Sequence, residues 1–213
     1  MIVKCISAKG YNNCVSQLEG CSLAELRIDL NQISVNELEL LLATNAQFIV
    51  TCRPGTYSDT ERIDILKAAA QMGAHYIDIE TETDADLIGI VKTACITSGT
   101  KLIVSYHNFE HTPEQTVLEN IISECIQQGA DYVKIACMVN TPTDNAVLLG
   151  LHAKHRNIIA FGMGEMGRIS RLASVFCGAP FTYVAPDKNG ETAPAQYTYT
   201  EMEQLMKMAK LIN

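Results

Sequence analysis

Apolar residues along this chain gather in short, β-branched runs, separated by longer stretches in which they recur every three or four positions. Eight of the runs read as strands: Val3–Ser7, Ala24–Leu30, Phe48–Arg53, Tyr76–Glu80, Leu102–His107, Tyr132–Cys137, Ile158–Met163 and Phe181–Ala185. Each is nearly continuous in its hydrophobicity, the pattern of a strand buried on both faces of a parallel sheet. The intervening segments start and stop as helices do. Ser58-Asp59-Thr60-Glu61 reads as a capping box, Thr112-Pro113-Glu114-Gln115 as another with proline at the first helical position, and Thr141-Pro142 repeats the signal. Gly73, Gly99 and Gly129 stand where helices should end. In the last segment Met202, Leu205, Met206, Ala209 and Ile212 share one face, a stripe suited to packing on a core.

An internal echo fixes the period. Gly73-Ala74-His75-Tyr76-Ile77-Asp78-Ile79 is answered by Gly129-Ala130-Asp131-Tyr132-Val133-Lys134-Ile135, two strand–helix units further on. Eight strands alternating with helices, without a linker or a break in composition, predict a closed (β/α)8 barrel forming a single domain over residues 1–213. A doubly wound open sheet is the alternative architecture.

Composition then narrows the partners. The formal net charge is −8 and no run of Lys or Arg occurs, which argues against nucleic acid and membrane surfaces. No stretch has the apolar length of a membrane span, and no signal peptide is visible. The eight cysteines form no C-x-x-C pair and several sit inside apolar runs, so they read as reduced, buried thiols of a cytoplasmic protein.

In a barrel of this kind, chemistry sits at the carboxyl ends of the strands. The polar residues falling there are Glu25, Arg27 and Asp29, then Arg53, Asp78 and Glu80, His107 and Lys134, with Gly164 to Arg171 and Asp187 to Gln196 after the last two strands. Lys134 puts an ammonium inside Tyr-Val-Lys-Ile-Ala-Cys. Desolvation disfavours its charged form, and the neutral amine is what Schiff-base chemistry requires. The alternative is a lysine paired with Asp78 or Glu80 for structure alone. His107 closes its strand and suits a general acid/base, with Glu80 one strand away to orient its imidazole.

Two motifs mislead. His107-Asn108-Phe109-Glu110-His111 matches H-x-x-E-H, but a strand precedes it and no helix carries both histidines, so no metal site is expected. His152 and His155 read as surface residues of a helix. Gly162-Met163-Gly164-Glu165-Met166-Gly167 matches a dinucleotide fingerprint, yet only one strand follows it. With Arg168 and Arg171 directly after, it suits a small carboxylate or phosphate at a helix N-terminus instead.

Taken together these segments resemble the type I 3-dehydroquinate dehydratases over almost the whole chain. Glu25-Leu26-Arg27-Ile28-Asp29 is similar to the family's E-x-R-x-D segment, and Arg53 to the arginine closing its third strand. Tyr76 to Glu80 resembles the fourth strand, Ser105 to Phe109 the catalytic-histidine motif, and Val133-Lys134-Ile135-Ala136 the Schiff-base strand. Met163 to Leu172 resembles M-x-x-x-G-x-x-S-R-L, and Thr192-Ala193-Pro194-Ala195-Gln196 the S-A-P-G-Q loop. Phe161, Asn108, Thr192 and Ala195 depart from the usual residues, and the N-terminal hairpin that caps many members' barrels is not expected. The resemblance implies a cytoplasmic lyase of the shikimate pathway that forms a homodimer and needs no cofactor. It implies Lys134, His107 and Glu80 as catalytic residues, with Glu25, Arg27, Arg53, Arg171, Thr192 and Gln196 binding 3-dehydroquinate. Another Schiff-base barrel of the aldolase type, or a barrel that only binds a carboxylate, remains the alternative.

Overall fold

A computed structural model describes residues 1–209. Its eight strands are β1 (Ile2–Ile6), β2 (Leu23–Arg27), β3 (Gln47–Thr51), β4 (Tyr76–Glu80), β5 (Lys101–Asn108), β6 (Tyr132–Met138), β7 (Ile158–Met163) and β8 (Thr182–Val184). Between them run α1 (Tyr11–Leu18), α2 (Ile28–Asn31), α3 (Val35–Leu42), α4 (Asp59–Gln71), α5 (Ala85–Ser98), α6 (Gln115–Gln128), α7 (Pro142–Lys154) and α8 (Arg168–Phe176), and α9 (Tyr199–Met208) follows β8. All neighbouring strands are parallel, in the order β7-β6-β5-β4-β3-β2-β1-β8. Strands follow one another without the reversal of a doubly wound sheet, and β1 turns back onto β8, so the chain folds as a (β/α)8 barrel. No ladder joins β7 to β8 among the described residues. Helix α8 lies across that seam, where Arg171 donates from Nη1 to the Tyr183 carbonyl at 3.3 Å.

The capping signals explain most helix starts. Ser58 accepts from the Glu61 N–H, and the Glu61 carboxylate accepts in return from the Ser58 N–H at 2.9 Å. Asp144 does the same for the Thr141 N–H at 2.9 Å, with Pro142 opening α7. Thr112-Pro113 differs from expectation. The helix starts at Gln115, and the Thr112 hydroxyl instead donates to the Met138 carbonyl at 2.8 Å, tying the loop after β5 to the end of β6. Strand β2 is also shorter than its apolar alternation suggests: it stops at Arg27, and Asp29 sits in the helical turn α2, where it receives the Arg27 fork. His152 is half-buried, with Nε2 3.0 Å from the Ala160 carbonyl, and His155 lies just beyond α7, so neither is the helical surface residue expected. Met202 and Met206 are buried as the stripe requires, while Ile212 lies outside the described residues.

Along the inner face the character changes every second residue. Val3, Leu23, Ile49, Ile103 and Ile159 form an apolar floor. Tyr76, Tyr132 and Phe181 close it with ring centroids 5.5, 5.8 and 5.9 Å apart. Two residues further along the strands come Cys5, Glu25, Thr51, Asp78, Ser105 and Lys134, and two beyond those Arg27, Arg53, Glu80 and His107. The alternation of a β-strand thus carries the barrel from a dry base to a charged mouth. All eight cysteines are free thiols; six are buried, Cys21 is half-buried and Cys177 is exposed.

Candidate active site

A cavity of about 390 Å³ opens at the carboxyl ends of the strands. At its base, in the middle of β6, the Lys134 Nζ lies 3.1 Å from Asp78 Oδ2, 3.5 Å from Glu25 Oε1 and 3.9 Å from the centroid of the Tyr183 ring. Its charge is therefore compensated by two buried carboxylates, as in the paired alternative the sequence leaves open. The pairing with Asp78 is the one made possible by the internal echo; the pairing with Glu80 does not form. Glu25 is held in turn by the Thr51 hydroxyl at 2.9 Å.

Both oxygens of Asp78 have a partner, Oδ2 in Lys134 and Oδ1 in two further groups. Asp78 Oδ1 accepts from Ser105 Oγ at 2.7 Å and is ion-paired with Arg53 Nη2 at 3.0 Å. Burial alone would raise the Asp78 carboxyl, but Arg53 and then Lys134 outweigh it and hold it well below the usual carboxylate range. Arg53 gives its other nitrogen to Glu80 Oε1 at 2.5 Å, and Glu80 Oε2 receives Arg62 Nη2 at 2.6 Å. Both oxygens of Glu80 are thus taken by guanidinium groups, and it does not hold the His107 imidazole as expected. The reason is α4, which brings Arg62 against the end of β4.

His107, next to last in β5, is half-buried, with its ring stacked on the exposed Phe109 at 6.2 Å between centroids, and has no hydrogen-bond partner among the described residues. Burial first, then the positive charges of Arg53 and Lys134, push its pKa well below the ordinary histidine value of 6.5, so it stands as a neutral base. The following loop is fixed by Asn108, whose Oδ1 accepts from the Glu110 and His111 N–H groups, both at 3.0 Å. This turn keeps the two histidines of H-x-x-E-H off a common helical face. No group of three His, Cys, Asp or Glu side chains gathers as a metal site among the described residues.

The opposite wall, from β7, β8 and α8, carries no acid. Arg171 is 1% exposed, with its guanidinium 4.5 Å from the centroid of the Phe161 ring. Beyond the Nη1 contact to the Tyr183 carbonyl, its Nε and Nη2 have no hydrogen-bond partner among the described residues. Burial, only partly opposed by Cys5 and Glu191, pushes it down to about 10. Gln196 closes this side. Its Oε1 accepts from the Thr192 N–H at 2.8 Å and the Ala193 N–H at 3.3 Å, which leaves Nε2 toward Cys5 Sγ at 3.8 Å. Ala195, at φ 56°, makes the tight bend that turns Gln196 inward.

The glycines of the motif pack β7 against the start of α8. A Cβ on Gly167 would come within 2.6 Å of the Gly162 carbonyl carbon, so β7 and α8 meet backbone to backbone. Ser170 Oγ locks that contact, accepting from the Gly162 N–H and donating to the Gly167 carbonyl, each at 2.7 Å. Arg168 leaves the cavity altogether and lies over the Tyr197 ring at 4.3 Å.

Every residue expected in the site, namely Lys134, His107, Glu80, Glu25, Arg27, Arg53, Arg171, Thr192 and Gln196, lines this one cavity. Cys5, Tyr183 and Arg62 are not expected there, and Asp78 is expected only as a strand-end carboxylate able to pair with Lys134. Asp78 had a signal in the echo and Cys5 in its place on the first strand; Arg62 and Tyr183 had none.

Comparison with known proteins agrees with this arrangement. The family model described as type I 3-dehydroquinase matches residues 4–213. The 3-dehydroquinate dehydratase of Pyrococcus abyssi (strain GE5 / Orsay) is 33% identical over 218 residues, covering 98% of this chain and 98% of its own length. That of Desulfotalea psychrophila is 34% identical over 194 residues, covering 86% and 85%. Among solved structures, the 3-dehydroquinate dehydratase of Aquifex aeolicus VF5 superposes with a TM-score of 0.85 at 27% identity, over the full length of both chains. A lysine caged by carboxylates facing an unpaired buried arginine, on a barrel matched from end to end, places the chain in the type I 3-dehydroquinase family.

Proposed function

We propose that the chain is a lyase that dehydrates 3-dehydroquinate to 3-dehydroshikimate by syn elimination through a Schiff base on Lys134. One observation carries the reading: a single cavity holds a strand lysine between two carboxylates and, on the facing wall, an arginine with two unpartnered donors. A ketone and a carboxylate on one small ring match that pair.

In the reaction, the Lys134 amine adds to the C3 carbonyl and water leaves, giving an iminium that acidifies the C2 protons. Neutral His107 takes one of them, and the electron pair flows into an enamine. The enamine then expels the C1 hydroxyl, which leaves as water with the proton carried by His107. Water hydrolyses the conjugated iminium, releasing the product and the free amine. The iminium is the electron sink, so the chemistry calls for no cofactor. Arg171 binds the substrate carboxylate, with Gln196 Nε2 and the Thr192 hydroxyl beside it. Glu25, Arg27 and Arg53 take the ring hydroxyls, and Glu80 acts on the site through Arg53.

The whole barrel is read as one catalytic domain, working in the reducing cytoplasm that suits its free thiols. A homodimer is the assembly implied by its resemblance, and a net charge of −8 disfavours nucleic acid as a partner. Among the described residues no helix is long and apolar enough to cross a membrane. Turnover is read directly from the absorbance of the conjugated enone acid when 3-dehydroquinate is added. A rise under conditions where buffer gives none supports the lyase, and a flat trace at high enzyme concentration refutes it.

A further inference from the structure

Helix α4 buries an arginine where its neighbours on the same face are Ile63, Leu66, Ala69 and Ala70. Arg62 is 1% exposed, and burying an unpaired guanidinium is costly. All three of its nitrogens are used: Nε donates to the Cys52 carbonyl at 2.8 Å, Nη1 to Asp59 at 2.7 Å and Nη2 to Glu80 Oε2 at 2.6 Å. The first contact ties α4 to the end of β3, and the second stays within α4 itself. The third reaches a carboxylate whose other oxygen binds Arg53.

From there the contacts run without interruption to the reacting amine. Arg53 Nη2 occupies Asp78 Oδ1 at 3.0 Å, which leaves Oδ2 for Lys134 Nζ at 3.1 Å. We propose that Arg62 is a positioning residue for Lys134, acting from outside the cavity through Glu80, Arg53 and Asp78. The proposal rests on the Schiff-base reading above.

Without Arg62, Glu80 keeps its charge but loses the partner that directs one oxygen outward. It is then free to chelate both Arg53 nitrogens, drawing them from Asp78, or to turn toward the partnerless His107. In either arrangement Asp78 rotates and the amine loses its fixed direction. The groups assigned to the substrate carboxylate, Arg171, Gln196 and Thr192, stand on the facing wall and keep their geometry. The loss should therefore fall chiefly on kcat and on the rate of adduct formation, with a smaller change in KM through the ring-hydroxyl contacts assigned to Arg53.

The test compares the wild type with Arg62→Met, which keeps the side-chain length but drops the charge, and Arg62→Lys. Each is assayed for turnover of 3-dehydroquinate and for the rate at which borohydride traps the substrate on the protein. For Arg62→Met, kcat and the trapping rate fall about tenfold to a hundredfold, the scale of a misplaced reacting group, while KM moves less than about threefold. Arg62→Lys falls between the two, since one ammonium cannot reach three acceptors. If Arg62→Met does not fold, Arg62→Lys decides alone: a kcat that falls further than KM moves supports the relay. Wild-type kcat in either folded variant overturns the proposal, and so does a loss confined to thermal stability. A wild type that turns over nothing and traps nothing overturns the lyase reading, and the proposal with it.

Discussion

Arg53 and Arg171 line the same cavity and are built in opposite ways. Arg53 spreads its nitrogens over Asp78 and Glu80. Burial would lower it, but those two carboxylates outweigh the burial and raise it above the usual arginine value. Arg171 is buried more deeply, has a carbonyl and an aromatic face for company, and leaves two donors without a partner among the described residues. A buried cation with its acids in place belongs to the machinery. A buried cation without one leaves room for a ligand to bring the acid. In the proposed reaction the two walls divide the work: β2 to β6 hold the reacting amine and its acids, and the seam between β7 and β8 takes the substrate's anion. An acidic protein gains local positive charge by withholding acids from one wall.

The largest effect is expected on the acid-rich wall. Lys134→Ala removes the nucleophile, and turnover should fall by ~10,000-fold or more, measured as kcat. A variant retaining a tenth of the activity would show that the amine is not the reacting group. His107→Ala comes next, at roughly 100- to 10,000-fold in kcat, with substrate still trapped on Lys134. The pH profile checks the same residue. Because the His107 pKa is pushed below 6.5, the free enzyme keeps a neutral base as pH falls through that value. The acid limb of kcat/KM should therefore lie below pH 6.5, and a limb at or above it would mean that a carboxylate supports the imidazole after all.

The two arginines can be set against each other directly. Arg171→Met should raise KM and lower kcat/KM roughly tenfold to a hundredfold, the worth of a charge-assisted fork. It should change the stability of the free protein by less than about 1 kcal/mol, because no acid is orphaned. Arg53→Met leaves Asp78 and Glu80 short of a partner and should cost about 3 to 5 kcal/mol in denaturant unfolding. Equal losses in both variants would erase the distinction. The smallest effect belongs to the closing loop. Ala195 sits at φ 56°, strained for a residue with a Cβ, so Ala195→Gly should stabilise by about 1 kcal/mol or less.

How far these features were legible depends on what kind of contact made them. Lys134 stood out because a lysine inside an apolar strand has few bland explanations, and Asp78 was tied to it by an echo of sequence. Strands with continuous apolar runs gave their bounds to within a residue or two, since burial on both faces dictates their composition. Strand β2 misled because Leu26, Ile28 and Leu30 alternate as a strand does, while a local fork from Arg27 to Asp29 winds the chain into a turn. Glu80 was assigned to His107 by nearness along the strands. Its real partner, Arg62, stands in an acidic first turn of α4, where an arginine reads as a solvated residue; only the seating of that helix against β4 turns it inward. The choice of partner by a carboxylate is a matter of tenths of an ångström between elements, and no periodicity encodes it.

The central claim is that the amine at the cavity's base is the reacting group, and a second buried lysine supplies the control. Lys4, on β1, is nearly as buried as Lys134, but its Nζ bonds the Glu19 carbonyl at 2.7 Å and lies over Tyr199, away from the cavity. Incubating the protein with 3-dehydroquinate, reducing with borohydride and mapping the modified peptide by mass spectrometry separates the two. The account predicts a reduced adduct on Lys134 and none on Lys4. An active enzyme whose Lys134 stays unmodified would contradict it.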